Sequence, residues 1–116
     1  MSKTVIYHNP RCSKSRQTLE LLHTHDIEPE IVEYLKTPPT ATELGEILGK
    51  LGLSPRDLMR KREAEYKALG LADESLSDEQ LIDAMVKHPK LIERPIVIKD
   101  GKVALGRPPE KILDIL

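Results

Sequence analysis

Residues 4–35 change hydrophobic period twice, and that alternation restricts the fold more than any other feature of the chain. "TVIY", Thr4 to Tyr7, reads as a short buried strand closed by a turn at Asn9-Pro10. From about Ser13 to His25, Leu19, Leu21 and Leu22 give a helix its apolar side. "EPEIVEYL" then reads as a second strand centred on Ile31 and Val32. Parallel neighbours need a crossover of a dozen or so residues, so strand, helix and strand at this spacing predict a βαβ unit.

The other end of the chain returns to strands. "PIVIKDGKVALG" is two apolar runs joined by Asp100-Gly101, a two-residue hairpin signal. "RPPEKILDIL" reads as a closing helix entered through its prolines. The middle is helical. Thr40 with Glu43 and Ser77 with Gln80 are capping-box patterns, and Ser54-Pro55 sets a cap residue before a proline at the first helical position. Leu44, Ile47, Leu48 and Leu51 share one helix face. Helices are predicted through "LMRKREAEYKALGL" and from Ser77 to Val86, the latter stopped near His88-Pro89. A βαβ half, helices, and a ββα half predict an α/β fold of the thioredoxin-like kind, with a mixed sheet and a helical insertion over about residues 40–90. The 116 residues fit one domain, 1–116.

Composition removes several function classes. The formal net charge of −1 supplies no basic field for nucleic acid, and three Tyr without Phe or Trp supply few stacking platforms. No apolar run reaches the length of a membrane span, and the first residues read as strand rather than signal peptide. One cysteine cannot form an internal disulfide, which points to a reducing compartment and a cytoplasmic location. One cysteine and four scattered histidines offer no zinc-ligand spacing, so no metal is expected.

That single thiol, Cys12, stands in "YHNPRCSKSRQT" among His8, Arg11, Lys14 and Arg16. It falls where the first strand gives way to the first helix. Free N–H groups at a helix start, the helix dipole and nearby cations all favour a thiolate, and the same N–H groups can cradle an oxyanion. The bland alternative is a lone cysteine acting as a small hydrophobe, which fits poorly with such polar neighbours. Ser15 occupies the position of a second cysteine, so a CxxC dithiol is excluded. Three residues separate Cys12 from Arg16, too few for a phosphatase loop.

"HNPRCSKSRQTL" resembles the active-site loop of the glutaredoxin-coupled arsenate reductase family, the ArsC type, whose pattern Asn-Pro-x-Cys-x-x-Ser-Arg is met by Asn9, Pro10, Cys12, Ser15 and Arg16. The resemblance continues through "LMRKREAEYKALGL", "HPKLIERPIVI" and "GRPPEKILDIL", so it spans nearly the whole chain. It implies a cysteine thiolate at Cys12 that attacks arsenate, or a similar oxyanion, held by Arg60, Arg94 and Arg107. It also implies that His8 favours the thiolate, that Asn9 and Arg16 support the loop, and that Pro95 is a cis-proline bringing Arg94 beside Cys12. Glutathione is the implied co-substrate and glutaredoxin the implied partner, with no bound cofactor. Pattern alone also admits plainer roles. Arg60 sits in a charged run of the kind that forms solvated faces, and Arg94 and Arg107 are loop arginines before prolines. His8 could be a turn residue satisfied by backbone, and Ser15 either bonds the helix start or holds the thiolate. Lys14 fills a position the family leaves variable; it either aids anion binding or marks a subgroup with another substrate. Two other functions compete: a regulatory protein of the Spx type, which shares the fold, and a glutaredoxin-like thiol transferase. Many Spx-type proteins carry the CxxC that Ser15 excludes here.

Overall fold

The computed structural model describes residues 4–116. They form two compact units, residues 4–37 with Arg94–Leu116, and Pro38–Glu93.

In the first unit, β1 (Thr4–Tyr7), α1 (Ser13–Thr24) and β2 (Glu30–Val32) form the βαβ element. β3 (Ile96–Lys99), β4 (Lys102–Leu105) and a 3₁₀ helix (Pro109–Ile115) form the other half. The sheet order is β2-β1-β3-β4. β1 runs parallel to β2 across the α1 crossover and antiparallel to β3, which pairs antiparallel with β4. This mixed four-stranded sheet is the thioredoxin-like arrangement. Its register builds the core directly. Ile6 pairs with Val97, and Val97 with Ala104, so three small or β-branched side chains form one cross-sheet row. That row joins Leu22 of α1 and Ile112 of the 3₁₀ helix in the core. α1 and the 3₁₀ helix pack side by side over it.

The hairpin turn has φ 52° at Asp100 and 78° at Gly101, the left-handed pair of a two-residue turn that matches strand twist. The closing helix is 3₁₀ rather than the expected α-helix. Pro108 and Pro109 bring no N–H to the ladder, and a seven-residue segment gains little from α-type bonds. The three-residue period of a 3₁₀ helix aligns Pro109, Ile112 and Ile115 on one side. Pro109 and Ile112 are buried there, and Ile115 packs against the core.

The second unit contains α2 (Ala41–Leu51), α3 (Pro55–Leu58), α4 (Ala64–Ala68), α5 (Asp78–Lys87) and a short 3₁₀ turn at Pro89–Leu91. The Thr40–Glu43 and Ser77–Gln80 capping boxes are formed in both directions, and Ser54 caps α3 with Asp57 returning the bond. Leu44, Ile47, Leu48, Leu58, Leu81 and Met85 are buried. The predicted helix through "LMRKREAEYKALGL" is interrupted. Met59 is extended and pairs antiparallel with Ile92. The Arg60 N–H donates to Leu91 O at 2.7 Å and the Glu93 N–H to Leu58 O at 2.8 Å. Both Met59 and Ile92 are buried, so two backbone bonds and two apolar side chains compete successfully with local helix propensity. Among the described residues no helix is long and apolar enough to cross a membrane.

Candidate active site

β1 delivers the chain into the loop that precedes α1, and a dense set of bonds fixes that loop. The His8 N–H continues the β1–β2 pairing by donating to Val32 O at 2.8 Å. Asn9 turns the chain: its Oδ1 accepts from the Arg11 N–H at 3.0 Å and its carbonyl accepts from the Cys12 N–H at 3.0 Å. The Asn9 N–H donates to Ser15 Oγ at 3.0 Å, and His8 Nδ1 lies 2.6 Å from the same oxygen. His8, Asn9 and Ser15 are all buried, and the polar atoms of this cluster largely satisfy one another. Arg16 reaches back to donate to Pro10 O at 2.8 Å, bracing the loop from outside.

Cys12 is the N-cap of α1, with extended backbone at φ −94° and ψ 123°. Its thiol is partly exposed. Burial by itself pushes the thiol pKa up. The Ser15 N–H, the Arg94 guanidinium as donor and as charge, and the Lys14 N–H together outweigh burial and hold it below its ordinary value. Ser15 therefore serves the sulfur through its amide, while its hydroxyl belongs to the His8–Asn9 cluster.

His8 is the converse case. Burial is the largest influence and lowers its pKa; Glu33 opposes this and Arg16 adds to it. The lowered pKa favours the neutral imidazole over the cation. Its connection to the sulfur runs through Ser15, whose position at the start of α1 it helps to hold.

Arg94 precedes Pro95 through a cis peptide, as does Arg107 before Pro108. Arg107 is exposed, and its Nη1 donates to Arg94 O at 3.3 Å. The first unit thus gathers Cys12, Arg94 and Arg107 with the loop residues His8, Asn9, Ser15 and Arg16. Arg60 belongs to the second unit. There its Nη1 meets Glu93 Oε1 at 2.9 Å and its Nε meets Glu63 Oε1 at 3.2 Å. Burial works against its charge, and the two carboxylates more than offset that, raising its pKa.

Two residues of the site's frame do not stand out in sequence. Thr18 is fully buried on α1, with its Oγ1 donating to Lys14 O at 2.8 Å. Gly106 donates its N–H to Pro95 O at 2.9 Å. A Cβ at Gly106 would come within 2.6 Å of Thr18 Oγ1 and 2.8 Å of Pro95 Cγ. Only glycine lets the end of β4 press between α1 and the proline beside Arg94. In sequence the glycine of "LGRPPE" cannot be told from an ordinary turn glycine. Gly106→Ala is expected to cost about 1–3 kcal/mol of stability by overpacking, read as a lower urea midpoint. An unchanged midpoint contradicts the close packing.

Residues 7–115 match the model of the ArsC family. The chain is 58% identical over 118 residues to the uncharacterized protein YfgD of Escherichia coli, covering 100% of this chain and 99% of that one. It is 50% identical to an arsenate reductase of Neisseria meningitidis, covering 100% of both chains. A solved structure, an arsenate reductase from Vibrio cholerae, superposes with a TM-score of 0.95 at 52% identity over 98% of each chain.

Proposed function

The chain belongs to the ArsC family, and from that footing we propose that it reduces arsenate to arsenite through the Cys12 thiolate, with glutathione and glutaredoxin as external reductants. The observation that carries this reading is a partly exposed thiol whose pKa is lowered by helix-start amides and an arginine. An ionised sulfur is the nucleophile, and the groups that ionise it also suit a tetrahedral oxyanion.

The Cys12 thiolate attacks arsenic and displaces one oxygen, which leaves as water; arsenic remains As(V). Glutathione condenses with the adduct through its sulfur and a second water leaves. A glutaredoxin thiolate then attacks the glutathione sulfur. The sulfur–arsenic bond breaks with its electron pair going to arsenic, which becomes As(III), while the two thiols become a mixed disulfide. Hydrolysis of the remaining bond to Cys12 releases arsenite and restores the thiolate. The reductant must come from outside because the chain has one cysteine and no internal thiol to resolve the adduct. Such a cycle suits the reducing conditions of the cytoplasm. Arg94 and Arg107 are assigned to the anion with Arg60, whose role rests on the family pattern. Asn9, Ser15, Arg16 and His8 hold the loop, and Pro95 supports Arg94.

The test is a coupled assay with arsenate, glutathione, glutaredoxin, glutathione reductase and NADPH. NADPH oxidation that depends on arsenate is the expected result, with a raised KM for arsenate in Arg60→Ala and Arg107→Ala. Equal oxidation without arsenate overturns the substrate assignment. Turnover supported by thioredoxin but not by glutaredoxin overturns the coupling.

A further inference from the structure

The geometry points to a binding site for the thiol co-substrate in a pocket of about 280 Å³ between the Cys12 loop and the turn that follows β2. This inference rests on the reading that an external thiol completes the reaction. One wall of the pocket is the run His8 to Arg11 that leads into Cys12, and the other is formed by Glu33, Leu35 and Lys36. The two walls are fixed to each other by the His8 N–H bond to Val32 O. The second wall is a turn closed by the Lys36 and Thr37 N–H groups on Glu33 O, at 2.9 and 3.0 Å.

The bonds that fix the loop do not use the side chains of Arg11 and Lys36, and Glu33 acts on it only through its charge on His8. Together they set two cations and one anion around apolar surface from Pro10 and Leu35, and Leu35 is 39% exposed. The complement is a small, flexible ligand with two carboxylates, one ammonium group and little apolar bulk. A tripeptide thiol of the glutathione type has that charge pattern, with carboxylates at both ends and the ammonium at one. The volume of about 280 Å³ falls just below the usual range for small-molecule sites, roughly 300–1,000 Å³, as suits a small ligand. A bare oxyanion fits less well, because Glu33 repels it and the apolar surface gives it nothing. Glu33 and Lys36 pair at 3.8 Å with side chains 45% and 79% exposed. Such a pair is weak and exchanges readily for ligand charges.

The probe is S-methylglutathione, which cannot attack arsenic, titrated into the whole nitrogen-15-labelled protein and followed by amide shifts. Saturable shifts at His8, Asn9, Arg11 and residues 33–36 are expected, with equal affinity in Cys12→Ser. Arg11→Glu combined with Lys36→Glu should weaken binding about tenfold or more, since two charge contacts become repulsive. Both side chains lie at exposed positions, so the fold should tolerate the change. Absence of saturable shifts at these residues, undiminished binding in the double variant, or equal saturation by inorganic phosphate overturns the inference. Binding requires no arsenate. Intact binding with no arsenate turnover therefore supports this site and counts only against the substrate assignment. Turnover without binding here counts only against this site.

Discussion

Cys12→Ser is expected to lower arsenate turnover by more than about 10³-fold, because it removes the atom that forms the covalent intermediate in the proposed mechanism. Serine keeps the shape of the N-cap position and is itself a good cap, so the fold should be little changed. The hydroxyl is the decisive difference. Its pKa lies far above that of a thiol, so amides and one arginine that lower the thiol pKa leave a hydroxyl protonated. His8 is buried, and its Nδ1 is already engaged 2.6 Å from Ser15 Oγ. The measurement is kcat for arsenate-dependent NADPH oxidation, with circular dichroism to show that the variant is folded. A folded variant retaining turnover within tenfold of the parent would rule out a covalent role for Cys12.

Arg94→Ala carries the second large effect. Arg94 acts on Cys12 as hydrogen-bond donor and as charge, and both lower the thiol pKa. Removing it leaves burial opposed only by the Ser15 and Lys14 amides, so the thiol pKa must rise. Less thiolate is then present at neutral pH, and the proposed oxyanion site loses one donor as well. Loss of a single such donor typically costs about 10²–10³ in rate, and a fall of that order in kcat/KM for arsenate is expected. Arg94→Lys separates the two contributions. It restores charge but not the planar fork of donors, so it should recover part of the pKa shift and less of the catalytic loss. A kcat/KM for Arg94→Ala close to that of the parent contradicts the assignment.

What could be read from sequence was whatever a short window dictates. Thr40 with Glu43, Ser77 with Gln80 and Asp100-Gly101 each carry their geometry within four residues, and each forms as predicted. The βαβ unit was legible because its period changes sharply, and Cys12 because strand and helix meet there. The break at Met59 was not. It depends on Ile92, distant in sequence, and a helical run of charged residues contains no sign of that partner. The pairing of Arg60 with Glu93 was hidden for the same reason, since the two lie on either side of that bridge. Gly106 looks like a turn glycine until Thr18 and Pro95 are seen against it. The lowered pKa of His8 comes first from burial, which a sequence of polar neighbours does not reveal. In each case a local preference was overridden, or a local role defined, by a residue far away along the chain.

The proposed mechanism requires that Cys12 be ionised at neutral pH, with the amides of Lys14 and Ser15 and with Arg94 lowering its pKa. The most direct test is the rate of iodoacetamide alkylation against pH, in the parent and in Arg94→Ala. The parent should show an apparent pKa well below the value of about 8.5 for free cysteine, and Arg94→Ala should move it upward. Midpoints near 8.5 in both proteins, with no displacement between them, would contradict the account.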